Sequence, residues 1–558
     1  MTPPRPLLRP ARRARATGAP RLLPVALAAM LAAGSSVAQV APPATALPVA
    51  NTGVAPRNAT IAQTGGPAPV MTITQNAARG AIEWQSFDIG SAARVTIQQP
   101  SAQSVLVNRV TPTGNHTASQ IHGALSANGR VFIVNTAGVA FSSTAQVNVG
   151  SLVASTLDLD PSMVANGYAR LLDPATTTIP LVQGDFGSIT VGSNAQIVAA
   201  PGGSVALVSS SSVAHNGIID AVRGRIALAA GSAANVVLPA TDSGFVDVVV
   251  TQQASGAGRL TLDFGSSTQA EGGSVVLGSG AGGVARADTI DIAGTVNVGS
   301  TAGAAGTVVV DAGAGGNVTL RGDAHIGAVS TAAGQRGGSV TVSGGTVDLQ
   351  ARGLALAAVP TTRRGTIDAS GTAGGGSIAL GGDATTSVAV QSGNDLYADA
   401  LDTGDGGSIA ARAMFLDPLS TRPVARESFG VTEVYGNLYA RGGGNGGNGG
   451  RIETSGQALT TRLDVSGSLQ SATIDASAAK GTAGTWSIDP FNVTISGTAP
   501  TSTGSDWTPV APGAVVHAAD IAKALDAGTS VEITTGRATR GAQARGLVGG
   551  AGGGLTPH

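Results

Sequence analysis

The chain has no cysteine among its 558 residues. Disulfide frameworks, thiolate zinc sites and thiol nucleophiles are therefore excluded together. Aromatic residues are scarce, at 9 Phe, 4 Tyr and 3 Trp. A core built on large anchors is excluded, and the aromatic girdles of a transmembrane β-barrel are missing. Beyond the first 40 residues no apolar run approaches the roughly 18 residues of a spanning helix, so a multispan helical membrane protein is excluded too. Glycine is abundant, with 82 residues, but it does not recur strictly every third position, which removes collagen. What is present is 42% hydrophobic residues, nearly all Ala, Val, Ile and Leu. Such a core requires close, regular packing of small and branched side chains.

The N-terminus reads as a processing signal. Arg5, Arg9, Arg12, Arg13, Arg15 and Arg21 form a positive region without acids, the apolar run Leu22 to Ala33 follows, and Ser36-Val37-Ala38 is a small-x-small site. Residues 1–38 are thus expected to be a signal peptide, cut between Ala38 and Gln39 and carried by the general secretory machinery. Cleavage leaves 26 basic against 33 acidic residues, a net of −7. That is the opposite of a nucleic-acid binder's basic footprint, so no nucleic acid is expected as a partner. An exported chain without cysteine also suits a need to stay uncrosslinked while crossing a second membrane.

Residues 39–58 are rich in Pro and Ala and read as a linker or flexible mature N-terminus. From Ala59 the pattern is one of short β-branched strands bounded by Gly, Pro, Asn or Ser, of which Arg130-Val-Phe-Ile-Val134 is the strongest. The nearest approach to a helical repeat is Ala518 to Leu525. From about residue 185 a loose repeat takes over. Its first element is Gly202-Gly203-Ser204-Val205, Gly272-Gly273-Ser274-Val275, Gly337-Gly338-Ser339-Val340, Gly375-Gly376-Ser377-Ile378 and Gly406-Gly407-Ser408-Ile409. Its second is Thr289-Ile290-Asp291, Thr366-Ile367-Asp368 and Thr473-Ile474-Asp475. Short strands punctuated by glycine turns predict an all-β, parallel β-solenoid whose stacked coils share one core. Antiparallel sandwich arrays would also give short strands at regular spacing. With coils of roughly 20 residues, the solenoid would extend on the order of 120 Å.

Residues 59–157 carry a resemblance. They contain Ile82-Glu-Trp-Gln-Ser-Phe-Asp-Ile-Gly90, Val107-Asn108-Arg109-Val110, Ser119-Gln-Ile-His-Gly123, Leu125-Ser-Ala-Asn-Gly129, Val131-Phe-Ile-Val-Asn135, Gly138-Val-Ala-Phe141 and Val147-Asn-Val-Gly-Ser-Leu-Val-Ala-Ser-Thr156. In this order they resemble the haemagglutination-activity, or two-partner secretion, domain of the filamentous haemagglutinin family. The segment Gly484-Thr-Trp-Ser-Ile-Asp-Pro-Phe-Asn-Val-Thr-Ile495 is similar to a junction of large exoproteins of this kind. The resemblance implies a right-handed parallel β-helix with an N-terminal secretion domain. It also implies export through a dedicated outer-membrane β-barrel transporter whose periplasmic modules recognise that domain. The family's Asn-Pro-Asn-Gly-(Ile/Val) motif maps onto Asn135-Thr136-Ala137-Gly138-Val139, where Thr136 and Ala137 depart from it. Those two residues give up the proline and Asx aids to the turn. No separate Asn-Pro-Asn-Leu motif is present.

The secretion-motif candidates are Asn108, Arg109, Val110, Asn128, Gly129, Asn135, Gly138, Val139, Phe141, Asn148, Ala154, Ser155 and Thr156. Taken singly, each Asn is a turn former; as a set they are candidates for a secretion role. Trp84 and Phe87 are expected to plug one end of the solenoid, and His116 and His122 to be turn or surface residues. The Asp residues of the Thr-Ile-Asp steps are read as coil corners bonded to backbone amides, not as catalytic acids. The run Gly442 to Gly450 lacks the Asp of a calcium-binding repeat. No enzyme activity, metal or cofactor is expected.

The expected domains are a secretion-motif segment at 59–180, extending to about 310, then solenoid repeats at 181–495, a terminal coil region at 496–536 and a low-complexity tail at 537–558. The tail lacks a convincing strand and reads as an interrupted frame of a longer exoprotein. The expected function is that of an adhesin, secreted or held at the outer-membrane surface, that binds a host-cell or bacterial glycan or protein. The alternatives are a truncated stalk of a contact-dependent inhibition toxin and a cytolysin of the same export class.

Overall fold

The computed structural model describes residues 40–111, 116–239, 246–254, 258–278, 288–351, 367–413, 429–502, 509 and 513–535, and the backbone of 544–548. The signal segment with its cleavage pair Ala38 and Gln39, and the rest of the tail, lie outside the described residues. Residues from Pro42 onward form one unit, and Met1–Ala41 another.

A single coil shows the logic. Arg130–Val134 runs in a first sheet, Val139–Phe141 in a second and Gln146–Val149 in a third, and Ser151–Ser155 returns to the first. Ser151 pairs with Arg130 and Ser155 with Val134, in parallel. Alternate side chains point inward, so Val139, Phe141, Val147 and Val149 enter the core while Asn148 faces out. Repetition of this path gives sheets of 16, 13 and 14 strands. Their inner pairings are parallel, and one apolar cluster runs from Ala59 to Val531. The fold is a parallel β-helix.

The Gly-Gly-Ser steps mark the same corner in five of the later coils. Ser204, Ser274, Ser339, Ser377 and Ser408 each open a strand of the first sheet. The second glycines of these steps stack in a column with their counterparts in neighbouring coils. A Cβ on Gly338, Gly376 or Gly407 would lie 2.1, 2.0 or 2.1 Å from the carbonyl oxygen of the glycine one rung below. Those carbonyls accept ladder hydrogen bonds, as Gly338 O does from Ser377 N at 3.0 Å and Gly376 O from Ser408 N at 2.9 Å. Only glycine lets the corner backbones approach this closely.

The expected coil length needs correction. The step is 21 residues from Arg130 to Ser151 and from Ser204 to Arg225. From Thr307 onward the steps are 31 to 45 residues, because loops leave the corners between the sheets. The fourteen parallel strands of the first sheet among the described residues therefore stack to roughly 60 Å, half the expected length. The Thr-Ile-Asp steps also divide. Thr289–Ile292 lies in the second sheet, whereas Ile367–Asp368 and Thr473–Asp475 lie in the third, with Thr366 outside the described residues. Asp368 and Asp475 accept from the backbone amides of Ser370 and Ser477 at 2.9 and 3.0 Å, but Asp291 pairs with Arg321.

A second layer covers the N-terminal half of the first sheet. It is a four-stranded antiparallel sheet of Asp158–Leu159, Thr178–Val182, Ala233–Val237 and Asp247–Gln252, with helix α1, Pro161–Leu172. Phe132, Val134, Val153, Leu181 and Val236 belong to the apolar cluster beneath it. Arg130–Val134 is buried on both faces for this reason, which explains its unbroken apolar run. Helix α1 was not expected. Asp160 caps it by accepting from Ser162 N, Pro161 follows, and positive φ at Asn166, Gly167 and Tyr168 breaks it midway.

Both ends of the stack are closed by other structure. Val49–Ala50 pairs antiparallel with Arg79–Ser86, and Ala59–Thr64 with Val70–Gln75. Trp84 and Phe87 pack edge to face at 5.4 Å in this first coil, both fully buried. At the other end helix α2, Ala518–Asp526, buries Ile521 and Ala524 beside the last strand of the third sheet. The tail supplies one strand after all: Ala544–Val548 lies antiparallel to Ser530–Thr535. An open edge offers backbone groups to any extended segment, whatever its side chains.

Candidate functional site

The candidates on the first sheet divide by face. Asn108 points inward. Its Oδ1 accepts from Trp84 Nε1 at 3.2 Å, and its Nδ2 donates to the Phe132 carbonyl at 3.1 Å. An asparagine within an apolar strand thus satisfies a buried indole. Arg109, the next residue, points outward into the second layer. It grips Asp158 with two hydrogen bonds of 2.7 and 2.6 Å and lies 3.8 Å from Glu83. Tyr168 of α1 donates to Glu83 at 2.7 Å. The bond to Asp158 raises the Arg109 pKa, outweighing burial, while burial and Glu83 raise that of Tyr168. The four side chains join the first sheet, α1 and the outer sheet. Val110 is buried in the main core.

Asn128 and Gly129 sit at the third-to-first corner. Asn128 brackets the Gln99 backbone, its Oδ1 accepting from Gln99 N and its Nδ2 donating to Gln99 O, both at 2.8 Å. A Cβ on Gly129 would meet the Gln99 side chain at 2.6 Å. Asn148 is exposed on the third sheet, in register with Ser126 and beside the groove that Asn128 and Gln99 line.

Asn135 holds the turn that departs from the family motif. Its Oδ1 accepts from Ala137 N at 3.0 Å, and its Nδ2 donates to Thr117 O and Ser119 Oγ at 3.0 and 2.9 Å. Gly138 takes φ +134°, and Val139 and Phe141 then enter the core. Thr136 has its own role: its hydroxyl donates to Asp185 at 2.9 Å, and His116 Nδ1 is 3.4 Å from the same carboxylate. Thr156 meets this corner from the next coil, donating to Gly187 O at 3.1 Å and accepting from Ser210 N at 2.8 Å. Ser155 folds onto Leu157, and Ala154 fills the core.

The structure therefore brings Asn135, Gly138, Ser155 and Thr156 to one corner and leaves Asn108, Asn128 and Asn148 apart from it. Glu83, inside the Ile82–Gly90 block, is not among the secretion-motif candidates, and Asp158, Tyr168 and Asp185 lie beyond the motif residues; the first three complete the Arg109 network and Asp185 the Asn135 corner. The Asp160-Pro161 pair, a helix-start pattern, could have revealed α1. His122 bonds Gln120 at 3.3 Å. Among the described residues no group of three His, Asp or Glu could hold a metal ion. The Gly442 to Gly450 run stacks on the coil below, with Asp402 accepting from Asn445 at 2.6 Å and Asp405 from Asn448 N at 2.7 Å.

The β-helix thus begins in an outer-layered N-terminal half and continues into bare coils. Residues 47–326, half of the chain, match the family model of the TPS secretion domain, and the chain belongs to this family. Membership makes it a two-partner secretion exoprotein and implies a cognate outer-membrane transporter. The heme/hemopexin-binding protein of Haemophilus influenzae strain Rd is 49% identical over 90 residues, covering 16% of this chain and 10% of that protein. A second Haemophilus influenzae protein of that name is 46% identical over 90 residues, 16% of this chain and 9% of its own. The chain thus spans about a tenth of the length of these curated relatives. Among solved structures, the HMW1 secretion domain from Haemophilus influenzae gives a TM-score of 0.49 at 21% identity, covering 78% of this chain and 100% of that one. The filamentous hemagglutinin secretion domain gives 0.35 at 14% identity, covering 60% and 100%.

Proposed function

We propose that the chain is a filamentous haemagglutinin-like adhesin that acts by binding, not by chemistry. The general secretory machinery delivers it after removal of residues 1–38, and periplasmic modules of the transporter read the secretion domain. The chain then crosses the barrel unfolded and folds outside. The observation that carries this reading is the uninterrupted core from the secretion domain into the repeats. Each coil that emerges stacks on a formed one, burying apolar side chains and pairing an open strand edge. The repeats then hold weak binding faces away from the cell, and many copies add by multivalency. The receptor is a surface glycan or protein of a host cell or a bacterium.

The test is to express the chain with its transporter in a non-adherent host and score agglutination and cell attachment. Attachment without lysis supports the adhesin. Lysis of red cells would favour a cytolysin, and killing of neighbouring bacteria an inhibition stalk. Saturable binding of heme or hemopexin, the ligands in the relatives' name, would replace the adhesin with a capture protein.

A further inference from the structure

Arg79 and Arg130 open their strands of the first sheet on either side of Val105. Arg79 pairs with Val105, and Val105 with Arg130, so all three point to the same face. Val105 lies in the apolar cluster beneath the outer layer. Both arginines are almost wholly buried at its rim, 9% and 4% exposed.

A buried guanidinium is ordinarily held by a carboxylate, as Arg109 is by Asp158. These two are not. Arg79 Nη2 donates to the Thr176 carbonyl at 2.8 Å. Arg79 Nη1 and Arg130 Nη2 are buried without a hydrogen-bond partner. Among the described residues neither arginine forms an ion pair within salt-bridge distance. Asp173 offsets the Arg79 charge only weakly and uses one carboxylate oxygen to accept from Ala175 N at 2.9 Å. Burial, then the Arg130 charge, lowers the pKa of Arg79, and burial lowers that of Arg130. Two neighbouring buried cations with spare donors are strongly unfavourable unless an anion completes them.

We propose that Arg79 and Arg130 jointly hold one small inorganic oxyanion, of the phosphate or sulfate type, as a structural ligand of the secretion domain. The planar forks of arginine match the oxygens of such an ion. The backbones are two rungs, about 10 Å, apart on the same face, a span that two long side chains can bridge through one ion. The burial of both side chains selects a free ion over an acidic peptide or a lipid headgroup.

The test uses the full secreted chain at constant ionic strength. Inorganic phosphate or sulfate is titrated against a chloride reference, with calorimetric binding and Tm as readouts. The wild type is expected to bind saturably and to gain Tm with the oxyanion. Arg130→Met is expected to weaken binding about tenfold or more. In chloride it should melt no lower than the wild type, because an uncompensated charge has gone. If Arg130→Met does not fold, Arg130→Lys keeps the charge, loses the fork and should bind more weakly. Equal responses of wild type and variant to phosphate, or no response of the wild type, would overturn the site. So would Arg130-dependent binding of an acidic peptide with none of phosphate.

Discussion

Arg109 and Asp158 form a two-pronged ion pair, 2.7 and 2.6 Å, that ties the first sheet of the helix to the outer layer. The two residues are 49 apart in sequence, and Asp158 lies in the short strand that leads into α1. Both side chains keep some solvent access, 16% and 25%. Breaking the pair should therefore cost less than the 3–5 kcal/mol of a fully buried one. Asp158→Ala is expected to lose about 2 kcal/mol in denaturant unfolding. Arg109→Ala should match it, and the double variant should lose little more than either single one, as a shared interaction requires.

The glycine column gives a sharper prediction. Gly376→Ala places a methyl group 2.0 Å from the Gly338 carbonyl oxygen, which cannot move without breaking its bond to Ser377 N. We expect a loss of about 3 kcal/mol or more, with the coils above this corner most affected. Gly444→Ala, whose new methyl group has nothing within 4 Å, should stay within about 0.5 kcal/mol of wild type. Limited proteolysis of the two variants separates the outcomes.

His215 makes stability depend on acid. It is fully buried, its Nδ1 accepts from Gly217 N at 3.4 Å, and burial lowers its pKa from 6.5 to about 4. Above pH 6.5 folded and unfolded chains are both neutral at this site, and nothing is lost. As pH falls from 6.5 to 4, the unfolded chain takes a proton that the folded one refuses, so stability declines by up to about 3 kcal/mol. Half-buried Asp88 and Asp368, with raised pKa values, act in the opposite sense, so the reading is a difference. His215→Gln should flatten the fall of unfolding free energy between pH 6.5 and 4 relative to wild type.

The asparagines should separate by burial. Asn135→Ala removes three hydrogen bonds inside the turn, and Asn128→Ala two that bracket Gln99. Each is expected to cost about 2 kcal/mol and to lower the yield of secreted protein. Asn148→Ala, on the exposed face, should leave both unchanged. The checks are immunoblots of medium against periplasm and thermal melts of the secreted variants.

Much of the fold was legible because the repeat is written in backbone needs. Gly-Gly before Ser marks a corner where neighbouring coils touch through their main chains, and each such step opens a first-sheet strand. Thr-Ile-Asp marked amide-bonded corners at Asp368 and Asp475 but not at Asp291, which lies within a second-sheet strand and pairs with Arg321. Coil length was underestimated because corner loops add residues without adding a strand. The outer layer was not legible at all. Ala233–Val237 and Asp247–Gln252 resemble coil strands, and only their antiparallel pairing sets them apart. At the candidate site, Asn135 and Gly138 were visible as turn residues. Asp158, Tyr168 and Asp185 were not, since their partners lie 49, 85 and 49 residues away.

Residues 47–326, which match the TPS secretion domain, are expected to carry the export signal read by a dedicated outer-membrane transporter. The most direct measurement is the distribution of the full chain between periplasm and medium, with and without the transporter. A variant lacking 47–326 but keeping the signal peptide is run alongside. The full chain is expected to reach the outside only with the transporter, and the deletion variant to stay in the periplasm even when the transporter is present. Release of the full chain without the transporter, or of the deletion variant with it, would overturn the role of residues 47–326 in export.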